Sequence, residues 1–99
     1  MIRLLILDVD GCLSDGKIIY TADGLELKNF NVKDGFAIKA WEKMGHAVAI
    51  ITGRDSSIVT HRARELSIPH LYQGVKDKRA VAMQMCDELG IEPHEVAAI

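Results

Sequence analysis

The stretch that decides the fold is Leu4-Leu5-Ile6-Leu7-Asp8-Val9-Asp10-Gly11. Its apolar run through residue 9 is typical of a strand buried on both faces of a parallel sheet. Asp8 and Asp10 are two residues apart, and side chains at that spacing on extended chain point the same way. A carboxylate pair at the end of a strand forms a compact set of hard oxygen donors suited to magnesium.

The acidic pair suggests phosphoryl chemistry. A metal would neutralise a phosphoryl group and hold it in line with one carboxylate. One aspartate would attack as a nucleophile while the other moves protons. Gly11 would let backbone amides approach the phosphate closely. Taken alone, residues 8–11 are better explained as an ordinary strand-to-turn junction, so the interpretation depends on the rest of the chain.

Two further polar groups follow predicted strands. Thr52-Gly53-Arg54 comes after the apolar run 47–51 and offers a hydroxyl, amide donors and a bidentate cation. Lys76 and Lys78 stand at the start of a helix, where a positive charge is unfavourable unless it reaches an anionic site. Taken alone, Thr52-Gly53-Arg54 is better explained as a turn with a solvated arginine, and both lysines can be explained as solvated surface charges. Because all of them lie at strand ends in chain order, they indicate one phosphate site at that edge of the sheet.

Outside these groups, strands and helices alternate. We expect helices from Asp34 to residue 44, from Asp55 or Ser56 to 66, and over 77–89, with strands at 70–72 and 96–99. Ala37, Ala40, Trp41 and Met44 are predicted to face the core from the first helix. The fold class is therefore α/β, with a parallel Rossmann-like sheet and helices on both faces.

A hairpin at about residues 16–31 interrupts this alternation after the first strand. Its strands are predicted at 17–21 and 26–31, with Asp23-Gly24 as the turn. Six apolar side chains in the hairpin are too many for an isolated hairpin in water: Ile18, Ile19, Tyr20, Leu25, Leu27 and Phe30. A neighbouring subunit is the expected cover, so we predict a homo-oligomer, with a lid over the chain's own domain as the alternative.

Composition limits the class of protein. The chain has 99 residues and a net charge of −2, which argues against nucleic acid as a partner. No apolar run is long enough to span a bilayer, and the N-terminus lacks the features of a signal peptide. Cys12 and Cys86 are expected to be free thiols. These features predict a cytoplasmic protein with no membrane partner.

The motifs Asp8-Val9-Asp10-Gly11, Thr52-Gly53-Arg54 and Lys78 together resemble the first three motifs of the haloacid dehalogenase superfamily of phosphatases. Residues 4–16, 30–35 and 71–74 are similar to its 3-deoxy-D-manno-octulosonate 8-phosphate (KDO 8-phosphate) phosphatases. The resemblance implies a magnesium-dependent phosphatase of lipopolysaccharide precursor synthesis that hydrolyses a phosphorylated sugar acid through an aspartyl-phosphate intermediate. It also implies a homotetramer built through the hairpin.

The resemblance implies roles for individual residues. Asp8 would be the nucleophile and a magnesium ligand, and Asp10 would be the general acid/base with a backbone oxygen on the metal. Thr52 and Lys78 would stabilise the phosphoryl group and the nucleophile. The substrate site would be lined by Asp10, Asn31, Val32, Lys33, Asp34, Gly35, Lys39, Arg54, Arg62 and Lys78.

The family's fourth motif, an acidic loop that completes the magnesium site, has no counterpart in residues 1–99. We therefore expect these residues to form a single core domain that is incomplete at its C-terminal end, nearly inactive by itself and weak in binding magnesium. Alternatives are a phosphatase of a nine-carbon sugar-acid phosphate, a phospho-accepting receiver domain, and a non-catalytic oligomerisation module of the same fold. Arg54 favours the eight-carbon substrate, and the complete acidic pair argues against the non-catalytic module. The spacing of the acids argues against a receiver.

Overall fold

The computed structural model describes all 99 residues. Its strands are β1 (Leu4–Leu7), β2 (Ile19–Tyr20), β3 (Glu26–Leu27), β4 (Ala47–Ile51), β5 (His70–Tyr72) and β6 (Val96–Ala98). Its helices are α1 (Val32–Lys43), α2 (Ser57–Glu65) and α3 (Lys78–Leu89). One four-stranded sheet has the order β5-β4-β1-β6 with all pairs parallel, and β2 and β3 form a separate antiparallel hairpin. The predicted fold class is confirmed.

The core lies on both faces of the sheet. In β4, Val48 and Ile50 face one side while Ala49 and Ile51 face the other, and each is at most 2% exposed. This alternation is what a strand covered on both faces requires. The helices supply the opposing side chains: Ile38, Val59 and Ala63 from α1 and α2 on one face, and Met85 from α3 on the other.

Each helix begins at a side-chain cap. The side chains of Asn31, Ser56 and Asp77 accept hydrogen bonds from backbone amides in the first turns of α1, α2 and α3. The prediction that Asp34 caps α1 was wrong, because Asn31 accepts from the Lys33 amide and the helix starts three residues earlier. Asp34 instead lies in the first turn, where a negative charge suits the helix dipole.

The inward face of α1 also differs from the prediction, except at Trp41, which is half-buried and packs against the core. Gly35 and Ile38 are the buried residues, whereas Met44 is 69% exposed and Ala37 and Ala40 are exposed. Apolar residues occur all around this helix, so their spacing does not select a face. Close packing selects it, because a Cβ added at Gly35 would lie only 2.9 Å from Leu66 Cδ2.

The hairpin is present with shorter strands than predicted. Ile19 pairs with Leu27, and the backbone amide of Thr21 donates to the carbonyl of Leu25 at 2.7 Å. This leaves a three-residue loop in which Gly24 has φ of 88°, a left-handed value that glycine adopts readily. None of the chain's helices combines the length and apolar character needed to cross a membrane.

Candidate active site

Asp8 stands at the C-terminal end of β1 with both carboxylate oxygens engaged. Oδ1 accepts a hydrogen bond from the Val9 amide at 2.8 Å, and Oδ2 lies 3.3 Å from Nζ of Lys78. The Asp8 amide donates to the Ile99 carbonyl at 3.1 Å, so its backbone continues the sheet. The Asp8 side chain is 38% exposed. It is therefore a fixed and accessible carboxylate next to a cation.

Asp10 follows in the wide turn of Val9–Leu13, where Gly11 has φ of 82°. Its Oδ1 lies 2.7 Å from Nζ of Lys28, and its Oδ2 lies 3.3 Å from a guanidinium nitrogen of Arg54. The hydrogen bond from Lys28 holds the pKa of Asp10 below its ordinary value, and the charge of Arg54 adds to the effect. Asp10 is thus an ionised carboxylate shared by two cations.

Glu26 of β3 joins the same two cations. Its Oε1 lies 3.7 Å from Nζ of Lys28, and its Oε2 accepts from the second guanidinium nitrogen of Arg54. That bond raises the pKa of Arg54 further above its ordinary value. Asp10, Lys28, Glu26 and Arg54 therefore form a closed ring of alternating charges, here called the four-charge ring.

Lys28 and Glu26 are site residues that the sequence analysis missed. The side chain of Lys28 is only 2% exposed, and that of Glu26 is 15% exposed. Their one signal in the sequence is the i, i+2 spacing of opposite charges in a strand-like segment, which places both on one face. A hairpin's charged residues are normally solvated, so the spacing alone did not distinguish them.

Thr52 and Lys78 lie where the sequence predicted. β1 pairs with β4 through Leu7 and Ile50, so the residues after both strands meet at one edge. Thr52 is 2% exposed and its carbonyl accepts from the Val75 amide at 3.0 Å, which fixes the loop before α3. Lys78 opens α3 and reaches Asp8, whereas Lys76 is exposed without an ion pair. The structure thereby selects Lys78 from the two candidate lysines.

The remaining predicted substrate residues lie around α1. Residues 31–35 span its N-cap and first turn, and Arg62 of α2 donates to the Asn31 carbonyl at 3.5 Å. The Arg62 guanidinium also lies over the Phe30 ring at 5.7 Å. Lys39 is one turn further along α1, where its ion pair is with Glu42 at 3.5 Å. The structure connects Arg62 with residues 31–35, while Lys39 has no ion pair with Asp8 or Asp10.

The donor set fits a divalent metal in part. Asp8 offers an accessible carboxylate. The Asp10 carboxylate is paired with Lys28 and Arg54, so the oxygen that Asp10 can offer a metal is its main-chain oxygen. No cluster of three or more histidine, cysteine, aspartate or glutamate side chains suited to a metal occurs in the chain. Hard oxygens of this kind suit Mg²⁺ as one part of a six-oxygen shell.

The site of this parallel α/β domain combines an aspartate, a threonine hydroxyl and a lysine that follow three neighbouring strands, an arrangement that can support phosphoryl transfer. No family model matches the chain. It is 48% identical over 98 residues to the 3-deoxy-D-manno-octulosonate 8-phosphate phosphatase KdsC of Escherichia coli (strain K12), covering 99% of this chain and 52% of that protein. The corresponding protein of Yersinia pestis is 47% identical over 98 residues, with the same coverage. The chain thus spans about half the length of the curated relatives it matches.

Solved structures agree with the sequence comparison. The 3-deoxy-D-manno-octulosonate 8-phosphate phosphatase of Moraxella catarrhalis, in complex with magnesium, phosphate and KDO, has a TM-score of 0.92 and 46% identity over 98% of this chain and 56% of that chain. A Legionella pneumophila protein assigned to the haloacid dehalogenase (HAD) superfamily, subfamily III A, has a TM-score of 0.94 and 42% identity over 98% of this chain and 53% of that chain. In sequence and in fold the chain is therefore similar to proteins of the haloacid dehalogenase superfamily, as its motifs indicated. This similarity argues against the receiver-domain alternative.

Proposed function

We propose that the protein carrying this chain is a magnesium-dependent phosphomonoester hydrolase that acts on a phosphorylated sugar acid, KDO 8-phosphate, in lipopolysaccharide precursor synthesis. The observation that carries the proposal is the Asp8 carboxylate, held between the Val9 amide and the Lys78 ammonium at a strand end. The names of its relatives support the substrate. A cytoplasmic location agrees with the free thiols of Cys12 and Cys86.

Asp8 is the proposed nucleophile. One of its oxygens attacks phosphorus, the bond from phosphorus to the sugar oxygen breaks, and the phosphoryl group is transferred to Asp8. The Lys78 ammonium, 3.3 Å from Oδ2, offsets the charge that gathers when a phosphate approaches this carboxylate. Thr52 at the adjoining strand end would donate its hydroxyl to a phosphoryl oxygen.

Asp10 is the proposed acid/base. It would protonate the departing sugar oxygen and then accept a proton from the water that attacks the phosphoryl group on Asp8, which releases phosphate. In the four-charge ring Asp10 is ionised and its pKa is lowered, which suits the second of these steps. The first step requires a proton on Asp10, so its ion pairs with Lys28 and Arg54 must both weaken when substrate enters.

Asp8 through its carboxylate and Asp10 through its main-chain oxygen would hold Mg²⁺. When bound, the ion supplies positive charge to the phosphoryl oxygens. Water, substrate or residues other than these must complete its shell, because no third acidic side chain joins the pair.

Arg54 is the proposed specificity residue. Its guanidinium is 44% exposed at the mouth of the site, and a planar guanidinium can bind a carboxylate or a phosphate through two hydrogen bonds. Residues 31–35, Lys39 and Arg62 would line the rest of the sugar-acid site. Relative turnover of KDO 8-phosphate and a nine-carbon sugar-acid 9-phosphate distinguishes the two substrate hypotheses.

We further propose that the protein is a homotetramer assembled through the hairpin. Ile18, Leu25 and Leu27 are 65%, 63% and 50% exposed, which is unfavourable for apolar side chains grouped on one small element. Sedimentation of the full-length protein tests this: wild type should run as a tetramer, and the Ile18→Lys, Leu27→Lys double variant should dissociate. Ala22→Lys in the hairpin loop is the control for added charge. A wild type that remains monomeric at high concentration would contradict the proposal.

The activity is tested by the Asp8→Asn substitution in the full-length protein. Turnover of KDO 8-phosphate should fall by at least about 10³-fold, since the nucleophile is lost while the fold is kept. Asp87→Asn, at an exposed acid of α3, is the matched control. Activity of Asp8→Asn near that of the wild type would reject Asp8 as the nucleophile, and an inactive wild type would favour the non-catalytic module.

A further inference from the structure

The hairpin shows an inverted pattern of burial. Its apolar side chains Ile18, Leu25 and Leu27 are at least half exposed, while the charged side chain of Lys28 is only 2% exposed. Lysine is among the residues least often found fully buried. Within a single chain, this pattern does not serve hydrophobic burial, so the position of Lys28 needs another explanation.

The energetic cost of burying the Lys28 ammonium is offset only by acidic side chains of the candidate active site. Its ammonium contacts Asp10 at 2.7 Å and Glu26 at 3.7 Å. A buried ammonium loses hydration energy that such pairing only partly restores, and an apolar residue of similar size would often be as stable there. The fold alone therefore gives little reason for a lysine at this position.

The chain holds Lys28 in place from both sides. Directly after it, the Asn29 side-chain amide donates to Asp15 at 3.0 Å, and Phe30 forms an antiparallel bridge with Ser14. Directly before it, Leu27 is paired with Ile19. These contacts fix the end of the hairpin against the loop that carries Asp10, so the hairpin cannot move without displacing the ammonium from the carboxylate.

We propose that Lys28 and Glu26 are positioning residues of the active site. Lys28 orients the Asp10 carboxylate, and Glu26 orients Arg54 through the other half of the four-charge ring. The hairpin thereby contributes two positioning side chains to the catalytic site, in addition to any role in subunit assembly. The inference rests on the proposed phosphatase function and adds two residues to it.

The two residues should affect different kinetic constants. Lys28 acts through the acid/base, so its loss should lower kcat for a substrate with a poor leaving group, such as a sugar phosphate. A phenolate departs with little need for protonation, so turnover of p-nitrophenyl phosphate depends on Asp10 only in the later hydrolysis of the phosphoenzyme and should be affected less. Glu26 acts through Arg54, so its loss should raise KM for the sugar acid and leave KM for the aryl phosphate unchanged.

The experiment compares Lys28→Met, Lys28→Arg, Glu26→Gln and the control Lys17→Met in the full-length protein, with both substrates. Lys17 is an exposed hairpin lysine without an ion pair. For Lys28→Met we expect kcat on KDO 8-phosphate to fall by about 10–100-fold with KM within about 3-fold, and a loss under about 5-fold on the aryl phosphate. Lys28→Arg should recover most of the rate, because a guanidinium can also donate to Asp10. Glu26→Gln should raise KM for KDO 8-phosphate by about 3–10-fold.

Three outcomes would overturn the inference. One is a Lys28→Met variant as active as Lys17→Met. A second is an equal loss on both substrates that Lys28→Arg does not restore, which would mark Lys28 as merely structural. The third is a lower KM in Glu26→Gln, which would make Glu26 a competitor of the substrate for Arg54. If Lys28→Met does not fold, the same kinetic constants are measured for Lys28→Gln and Glu26→Gln with both substrates. A wild type inactive on both substrates would instead reject the proposed function itself.

Discussion

The central sheet and the hairpin obey opposite rules of burial. In β1 and β4 the apolar side chains are buried on both faces, and the polar residues begin only where the strands end. In the hairpin, Leu25 and Leu27 face solvent and the Lys28 ammonium is enclosed. The sheet is thus explained by the chain's own core. The hairpin is explained only by what it contacts, which is the site through its charges and, as we propose, other subunits through its apolar side chains.

The comparison predicts that the two regions respond differently to truncation of an apolar side chain. Ile50→Ala, at a residue 1% exposed in β4, should cost about 2–5 kcal/mol of unfolding free energy at any protein concentration. Leu25→Ala, 63% exposed, should change the unfolding of dissociated subunits by less than about 0.5 kcal/mol. Urea unfolding at two protein concentrations measures both. A large, concentration-independent cost for Leu25→Ala would show that the hairpin belongs to the subunit core.

A smaller effect is expected where the hairpin meets the sheet. Arg54→Ala should reduce kcat/KM for KDO 8-phosphate by about 10–100-fold, since one bidentate, charge-assisted contact is lost. The loss on p-nitrophenyl phosphate should be several-fold smaller, because that substrate has no carboxylate to bind. Arg64→Ala, an exposed arginine of α2, is the control. Equal losses on both substrates would mean that Arg54 supports the four-charge ring without selecting substrate.

The smallest effect concerns pH. Lys28, and after it Arg54, lowers the folded pKa of Asp10 below its ordinary value of 3.8. The resulting stability is present above that value and is lost as pH falls through the lower folded pKa. Wild type should exceed Asp10→Asn in unfolding free energy by about 1 kcal/mol at neutral pH, and this difference should shrink below pH 3.8 and vanish once Asp10 is protonated in the folded state. An unchanged difference at acid pH, with exposed Asp87→Asn as control, would reject the ionic link between hairpin and sheet.

The sheet was predictable from sequence for a physical reason. Two local sequence patterns are retained in the fold. One is the alternating burial in β4, and the other is the placement of acidic, hydroxyl and lysine side chains at strand ends. The first turn of α1 was less predictable, since Asn31 and Asp34 are both good caps and packing at Gly35 decides the helix face. The four-charge ring could not be predicted from the sequence, because tertiary contacts join its residues 10, 26, 28 and 54. A hairpin sequence does not reveal which of its charges becomes buried.

The proposed chemistry depends most directly on a covalent bond from phosphorus to Asp8. The decisive measurement is borohydride reduction of the full-length protein quenched during turnover, followed by mass spectrometry of the peptide that contains residues 4–16. Asp10→Asn, turning over p-nitrophenyl phosphate, should accumulate more of the phosphoenzyme because its hydrolysis lacks the base. The account predicts that residue 8 is converted to homoserine, which marks an acyl phosphate at that carboxylate. Sustained hydrolysis with residue 8 unmodified, or with the label on another residue, would contradict it.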